Sequence, residues 1–448
     1  MKLREHGWAV AGLVLVVLVT FHSVLLPPRA VVANDSPLAS IARTQRWYEE
    51  GRRILWLNDG YLGRKGGRIS LGLMYPLQRL VKTEYYNTAL FASTTLLAGI
   101  GMYGLCVTLG LSALAGFAGA SALMLSGDFI TCVYSGHGGK FVMWALLLWS
   151  MWLLTYGVTR RNVVALVWSG VCGGIGVSGQ LDVGFIVALF MLAWLVFLIW
   201  HTRDRRQWAK LGAGLGLAAG AGAVYAVLTI VSLLGLAAQG TSGISEEQRG
   251  PAEQWNWATQ WSLPKAETLT LLAPGFYGWG HVPDSPYWGR IGQDARWPTE
   301  HVGFARFSIN TQGLGVVVIA LAVLAVCAAL AARGEEGKHG KEKRAEQEAE
   351  SNVPMRSVVL FWAVAAVVAL VFAWGRYFDT APNGARGLGA YRLFYMLPKM
   401  EAMRNPLKFL YPLMLGVAVL AAYGMETVRT LMVAGQHQQA RKSATHKK

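Results

Sequence analysis

The chain has 448 residues, of which 54% are hydrophobic and only 15% charged, and it carries a formal charge of +16. So apolar a composition excludes an ordinary soluble domain or a disordered chain and points to an all-α polytopic membrane protein. The basic excess lies in loops between apolar runs, where the positive-inside rule and lipid phosphates account for it, so nucleic acid is not an expected partner. Cys106, Cys132, Cys172 and Cys327 fall within or at the ends of apolar runs, which predicts neither a disulfide framework nor a CxxC metal site.

Hydropathy predicts about ten membrane spans, at 8–26, 88–108, 112–131, 141–158, 162–179, 183–200, 211–236, 314–332, 357–374 and 408–426. Lys2 and Arg4, Arg160 and Arg161, the basic cluster 203–210, the run 338–344 and the tail from Arg429 alternate onto one side. That side is expected to be the cytoplasm, with both termini of a multi-pass protein in it. Three sizeable loops then face outward, at 27–87, 237–313 and 375–407. A low-hydropathy, charge-balanced stretch at 333–356 reads as a cytoplasmic linker between an N-terminal module, 1–332, and a two-helix module, 357–448. Glycine-rich LGAGLGLAAGAGA from Leu211 suits close helix packing and lacks the strand context of a nucleotide loop.

The first outer loop places Asp35 just beyond the first span, in NDSP, ahead of a surface helix rich in arginine. Asp35 and Ser36 fit a helix start, with Pro37 allowed in the first turn. A carboxylate at that boundary also suits an enzyme acting on an anionic lipid-linked substrate. Asp59, in NDG of the same loop, is first a turn residue; the alternative reading is a substrate-binding carboxylate that converges with Asp35.

The turn YSGHGGK, 134–140, places His137 and Lys140 among glycines that let backbone N–H groups approach a ligand, with His137 able to shuttle a proton. Gln180 and Asp182 lie between two spans with almost no loop, where a carboxylate is costly unless paired or useful. Most of the many aromatics in the second outer loop suit an interfacial belt, and flat rings also suit sugar or prenyl faces. Within that loop PGFYGWGHVPDSPYWGR brings His281, Asp284 and Arg290 among turn residues. In the third loop Arg392, Arg404 and Lys408 lead into the last span; such cations either snorkel or clamp a pyrophosphate.

Taken together, Asp35, the SGHGGK turn, QLDV, PGFYGW with YWGR, and LPKMEAMRNPLKFLYPLML followed by AAYG resemble the YfhO-like bacterial membrane proteins, themselves similar to the GT-C integral-membrane glycosyltransferases. The resemblance runs from Ala33 to Gly424, though this chain lacks the large soluble C-terminal domain of longer members. It implies an inverting transfer of a sugar from a polyprenyl-phosphate donor to a glycan or lipid acceptor at the outer face. It further implies that the acid of the first outer loop, Asp35, acts as base or metal neighbour. In that scheme Lys140, Arg404 and Lys408 hold the phosphate, Arg290, Arg392 and Asp59 assist binding, and His137 and Asp182 support Asp35. Carboxylates favour Mg²⁺ or Mn²⁺, though no ligand spacing demands a metal. Two other classes fit the same residues: a transporter or flippase using Asp182 and His137 as relay groups, and a non-catalytic scaffold that binds lipid headgroups.

Overall fold

Hydrocarbon offers no hydrogen-bond partner to a peptide group, so a long apolar run is stable only when its N–H and C=O groups satisfy one another within a helix. Each predicted apolar run falls mostly on helix in the computed structural model. The structure describes residues 2–27, 29–33, 35–49, 56–57, 64–65, 74–201, 208–237, 250–278, 286–293, 299, 312–331, 353–382, 387–397, 400 and 403–445. In chain order the helices are α1 Lys2–Thr20, α2 Leu38–Glu49, α3 Met74–Leu80, α4 Tyr86–Thr108, α5 Ala113–Met124, α6 Gly127–Ser135, α7 Gly138–Arg160, α8 Val163–Gly179, α9 Leu181–His201, α10 Trp208–Ala237, α11 Pro251–Thr259, α12 Val316–Ala331, α13 Met355–Ala373, α14 Ala390–Tyr395 and α15 Leu410–Thr445. A two-residue hairpin pairs Trp56–Leu57 (β1) with Arg64–Lys65 (β2). Asp59, His281 and Asp284 and the 333–352 part of the linker lie outside the described residues.

Among the described residues, seven helical stretches are long and apolar enough to cross a membrane: Thr83–Thr108, Ala113–Ser135, Gly138–Arg160, Leu181–His201, Ala209–Val227, Met355–Ala373 and Pro406–Gln436. Val163–Gly179 and Val316–Ala331 are apolar but shorter. The expected span at 112–131 is two helices, α5 and α6, broken at Leu125 and Ser126. There the Gly127 N–H leaves the helical ladder and donates to the Gly313 carbonyl, 2.7 Å away.

Side-chain oxygens set two of the helix starts. Ser112 accepts from the Ala115 N–H to begin α5, and Asn162 accepts from the Ala165 N–H at 3.0 Å to begin α8. Arg161, in the left-handed region at φ 57°, lets α7 turn directly into that cap.

The bundle has two packed groups. In one, α4, α7, α8 and α10 lie side by side; in the other, α15 packs against α5, α12 and α13, with α9 touching α7, α8 and α15. The most apolar 18 residues of the stretch Pro406–Gln436 are 94% buried and those of Ala209–Val227 only 11%, so the last helix is the axis of the fold and α10 lies at its edge. Small residues bring α8 and α10 together. A Cβ on Gly170 would lie 1.9 Å from the Ala218 carbonyl oxygen and one on Gly174 2.4 Å from that of Gly222, so the glycine-rich run of α10 packs as its sequence suggests.

Backbone hydrogen bonds gather the predicted outer loops at one end of this bundle. The Asp35 N–H donates to the Ser135 carbonyl, the Asn405 N–H to that of Ala258, and the Leu263 N–H to that of Ala373. The first loop thereby meets the α6–α7 junction, while the second loop is joined to the third and to the end of α13.

Candidate functional site

The site begins with a turn that only glycine fits. Gly136 ends α6 at φ 83°, and a Cβ there would come within 2.7 Å of the Ala33 Cβ and 2.9 Å of the Ser36 nitrogen. Without that side chain, Ala33 and Ser36 lie directly on the SGHGGK turn. Asn87, fully buried at the start of α4, fixes the segment from the other side: its amide donates to the Val31 and Ser36 carbonyls at 3.3 and 3.0 Å, and its Oδ1 accepts from the Ser36 hydroxyl at 2.8 Å. Beyond it α2 settles through Ile41 onto Tyr86, Leu90 and Val142.

The outcome is a contact between the two predicted residues. The Asp35 carboxylate oxygen Oδ2 lies 2.8 Å from Nε2 of His137, and Nδ1 of that ring lies 3.1 Å from the Ser135 hydroxyl. Asp35 is exposed and His137 half-buried. Burial, and then the nearby Lys140 ammonium, hold the imidazole below its ordinary pKa against the opposing pull of Asp35. A neutral ring therefore faces Asp35 with Nε2–H as donor, leaving Nδ1 to accept from Ser135.

Lys140 stands in the first turn of α7, with its Nζ 3.9 Å from the Cys132 sulfur. A Cβ on Gly139 would lie 2.5 Å from the Gly179 carbonyl oxygen, so this turn also abuts the end of α8. Immediately beyond, Asp182 sits in the first turn of α9. Its Oδ1 accepts from the Gln180 amide at 2.9 Å and the Val183 N–H at 2.8 Å, and its Oδ2 forms an ion pair with Lys408.

Asn405, at φ 74°, kinks the chain so that Lys408 turns inward on the short helix Pro406–Phe409. Lys408 also donates to the Arg404 carbonyl at 2.8 Å. Arg404 itself is exposed, its guanidinium 4.2 Å above the Trp257 ring. Charges of Asp182 and Lys140 act on His137, and those of Lys140 and Arg404 act on Lys408, which makes Asp35, His137, Lys140, Asp182, Lys408 and Arg404 one electrostatic neighbourhood.

Two predicted ligands stand elsewhere. Arg392 is buried, donating to Asp379 at 2.8 Å and to the Ala381 carbonyl at 3.1 Å while stacking 3.6 Å above Trp255. These contacts tie the third loop to α11, so the guanidinium is engaged within the protein. Arg290 is exposed, and its backbone N–H donates to Glu267, 2.6 Å away, in the second loop. Lys408, though inside the neighbourhood, is already neutralised by Asp182.

Among the described residues no three His, Cys, Asp or Glu side chains gather as metal ligands. Asp35 has an imidazole beside it and Asp182 an ammonium, a donor set that does not fit Mg²⁺ or Mn²⁺. Sequence reasoning missed Ser135 and Asn87. An asparagine opening an otherwise apolar helix is a detectable signal for the latter, whereas nothing distinguishes Ser135 from an ordinary helix-end serine.

Fold and site together define a helical membrane protein with an acid, an imidazole and several cations clustered at one end of the bundle. No known family model matches the chain, and no curated protein matches it either.

Proposed function

We propose that the protein is an inverting glycosyltransferase of the GT-C type that moves a sugar from a polyprenyl-phosphate donor to a glycan or lipid-linked acceptor at the outer face of a bacterial cytoplasmic membrane. The observation that carries this reading is the Asp35–His137 contact, an exposed carboxylate set against an imidazole that also feels the Lys140 ammonium. The resemblance to YfhO-like proteins supports the same assignment, as do the seven helical stretches among the described residues that are long and apolar enough to cross a membrane.

Asp35 takes the proton of the acceptor hydroxyl as its oxygen attacks the anomeric carbon, and the bond from that carbon to the lipid phosphate breaks. Neutral His137 holds the carboxylate in place through Nε2–H. Lys140 and Arg404 offset the charge that builds on the departing phosphate. The aromatic surface around Trp257 offers a flat face for the sugar or prenyl chain.

The test compares membranes containing the native chain with membranes containing Asp35→Asn, supplied with radiolabelled polyprenyl-phosphate hexoses and equal in protein abundance. Label passing into a new glycan or glycolipid with the native chain, and at least a hundredfold less with the variant, is the expected result. Equal labelling would remove Asp35 from the chemistry.

A second reading rests on a different contact. The Asp182–Lys408 pair joins two helices at the edge of the apolar layer, where a transporter of an anionic solute would keep a relay group. Uptake driven by a proton gradient and abolished by Asp182→Asn, with no sugar transfer, would favour that alternative.

A further inference from the structure

The second long loop contains a segment folded the wrong way round for water. Residues Lys265–Leu271 form a 3₁₀ helix, whose period of three places Leu269 and Leu272 on one face. Those leucines are 39% and 38% exposed, whereas Glu267 and Thr270 on the opposite side are each 1% exposed. The buried polar groups are satisfied. Glu267 accepts from the Tyr287 hydroxyl and the Arg290 N–H, each at 2.6 Å, and Thr270 donates to the Glu267 carbonyl at 2.6 Å. A segment with its carboxylate bonded inward and its leucines outward suits an apolar surrounding.

The exposed leucines continue into aromatic rings. Tyr277 packs against Trp288 with ring centroids 4.3 Å apart, and Phe276 borders both at 5.3 and 6.0 Å; Phe276 is 50% exposed and Trp288 62%. The rings are inclined to one another by 42° to 70°, so they form a wedge and not the flat platform on which a sugar stacks.

Hydrogen bonds fix the level of this wedge along the bundle. The Leu271 carbonyl accepts from the Leu314 and Gly315 N–H groups at the start of α12, and the Trp374 indole, at the end of α13, donates to Thr268 at 2.9 Å. Beside it, the first turn of α12 presents Val316 and Val317 to the outside, and α13 presents Val364 and Val367. The leucines and rings therefore prolong the outward apolar surface of two candidate spans. Lys265, above them, spreads its ammonium over Phe378 at 5.3 Å in the manner of a cation at a headgroup boundary.

We propose that residues 265–278 and 286–288, which hydropathy alone assigns to an aqueous loop, are seated in the bilayer leaflet at this end of the bundle, with Leu269, Leu272, Phe276 and Trp288 in the boundary between headgroups and acyl chains. The occupant of this surface is lipid. The inward-bonded carboxylate and the continuity with α12 and α13 carry the assignment, which does not depend on the reaction proposed above.

The test uses the full chain with Cys172 and Cys327 changed to alanine, carrying one new cysteine at Leu272, Phe276 or Trp288, or at exposed Glu253 of α11 as reference. Each is labelled with bimane and reconstituted into phosphatidylcholine vesicles, with or without bromine near the headgroup end of the acyl chains. Bromination is expected to lower fluorescence at least twofold at 272, 276 and 288 and by much less at 253. Quenching no greater than at 253, with full reaction toward a membrane-impermeant maleimide, overturns the proposal in favour of a water-facing loop. Protection from both reagents overturns it in favour of a protein cover such as a second copy of the chain. Three independent positions keep the test decisive if one substitution misfolds.

Discussion

The Lys408 ammonium rests on the Asp182 carboxylate and so joins the foot of the last long helix to the α8–α9 junction. Lys408 is buried and Asp182 partly open, and both keep further hydrogen bonds within the protein. Removing one partner of such a pair leaves the other without compensation, at a cost of about 3 kcal/mol for a pair that still sees some solvent. Lys408→Met is therefore expected to lower the thermal unfolding midpoint in detergent. The double variant with Asp182→Leu is expected to recover part of that loss, and strictly additive losses would show that the pair does not act as a unit.

Acid is expected to weaken the protein through His137. Burial and then Lys140 hold its imidazole below the ordinary value of 6.5, so the folded state binds a proton less readily than the unfolded chain. The stability tied to the neutral ring is intact above about pH 6.5 and is lost as pH falls from there through the lowered folded value. Unfolding midpoints between pH 7.5 and 5 are expected to decline more steeply for the native chain than for His137→Gln. A shallower native slope would show that the protonated ring is the one the fold prefers.

Much of this arrangement was legible in the chain because hydropathy and charge report long-range order directly. Apolar runs gave the helices, and their number and the loop charges gave the expectation that 27–87, 237–313 and 375–407 share one side. Local chemistry was less legible. Asp35 and His137 each stood out for residue type and position, but their contact depends on Gly136 adopting φ 83° and on Asn87 bonding two backbone carbonyls, neither of which has a periodic signature. Arg392 was ambiguous in the sequence because a cation near a span reads the same whether it meets a phosphate or Asp379, and that partner is fixed only by tertiary packing. The break between α5 and α6 was hidden for a similar reason, since its stabilising acceptor is the Gly313 carbonyl.

Gly136→Ala should disturb the site without touching its chemistry. The new methyl would require a left-handed backbone from a residue that avoids it and would press on Ala33 and on the backbone at Ser36. The expected loss is about 1–3 kcal/mol, with the NDSP segment displaced from the turn. A cysteine at Asp35 should then react faster with an impermeant maleimide than the same cysteine in the native background. An unchanged rate would mean that Asn87 alone holds the segment.

Arg392 separates a structural cation from a substrate ligand. Its guanidinium bonds Asp379 and the Ala381 carbonyl while covering Trp255, and both charged side chains are almost wholly buried. A lysine keeps the charge but loses the planar fork and the stacking, so Arg392→Lys is expected to cost about 2–4 kcal/mol and to lower the unfolding midpoint nearly as far as Arg392→Met. Arg404→Lys, at an exposed guanidinium, should leave the midpoint within about 0.5 kcal/mol of native. If instead Arg392→Lys left stability intact while Arg404→Lys lowered it, the two arginines would have to exchange roles.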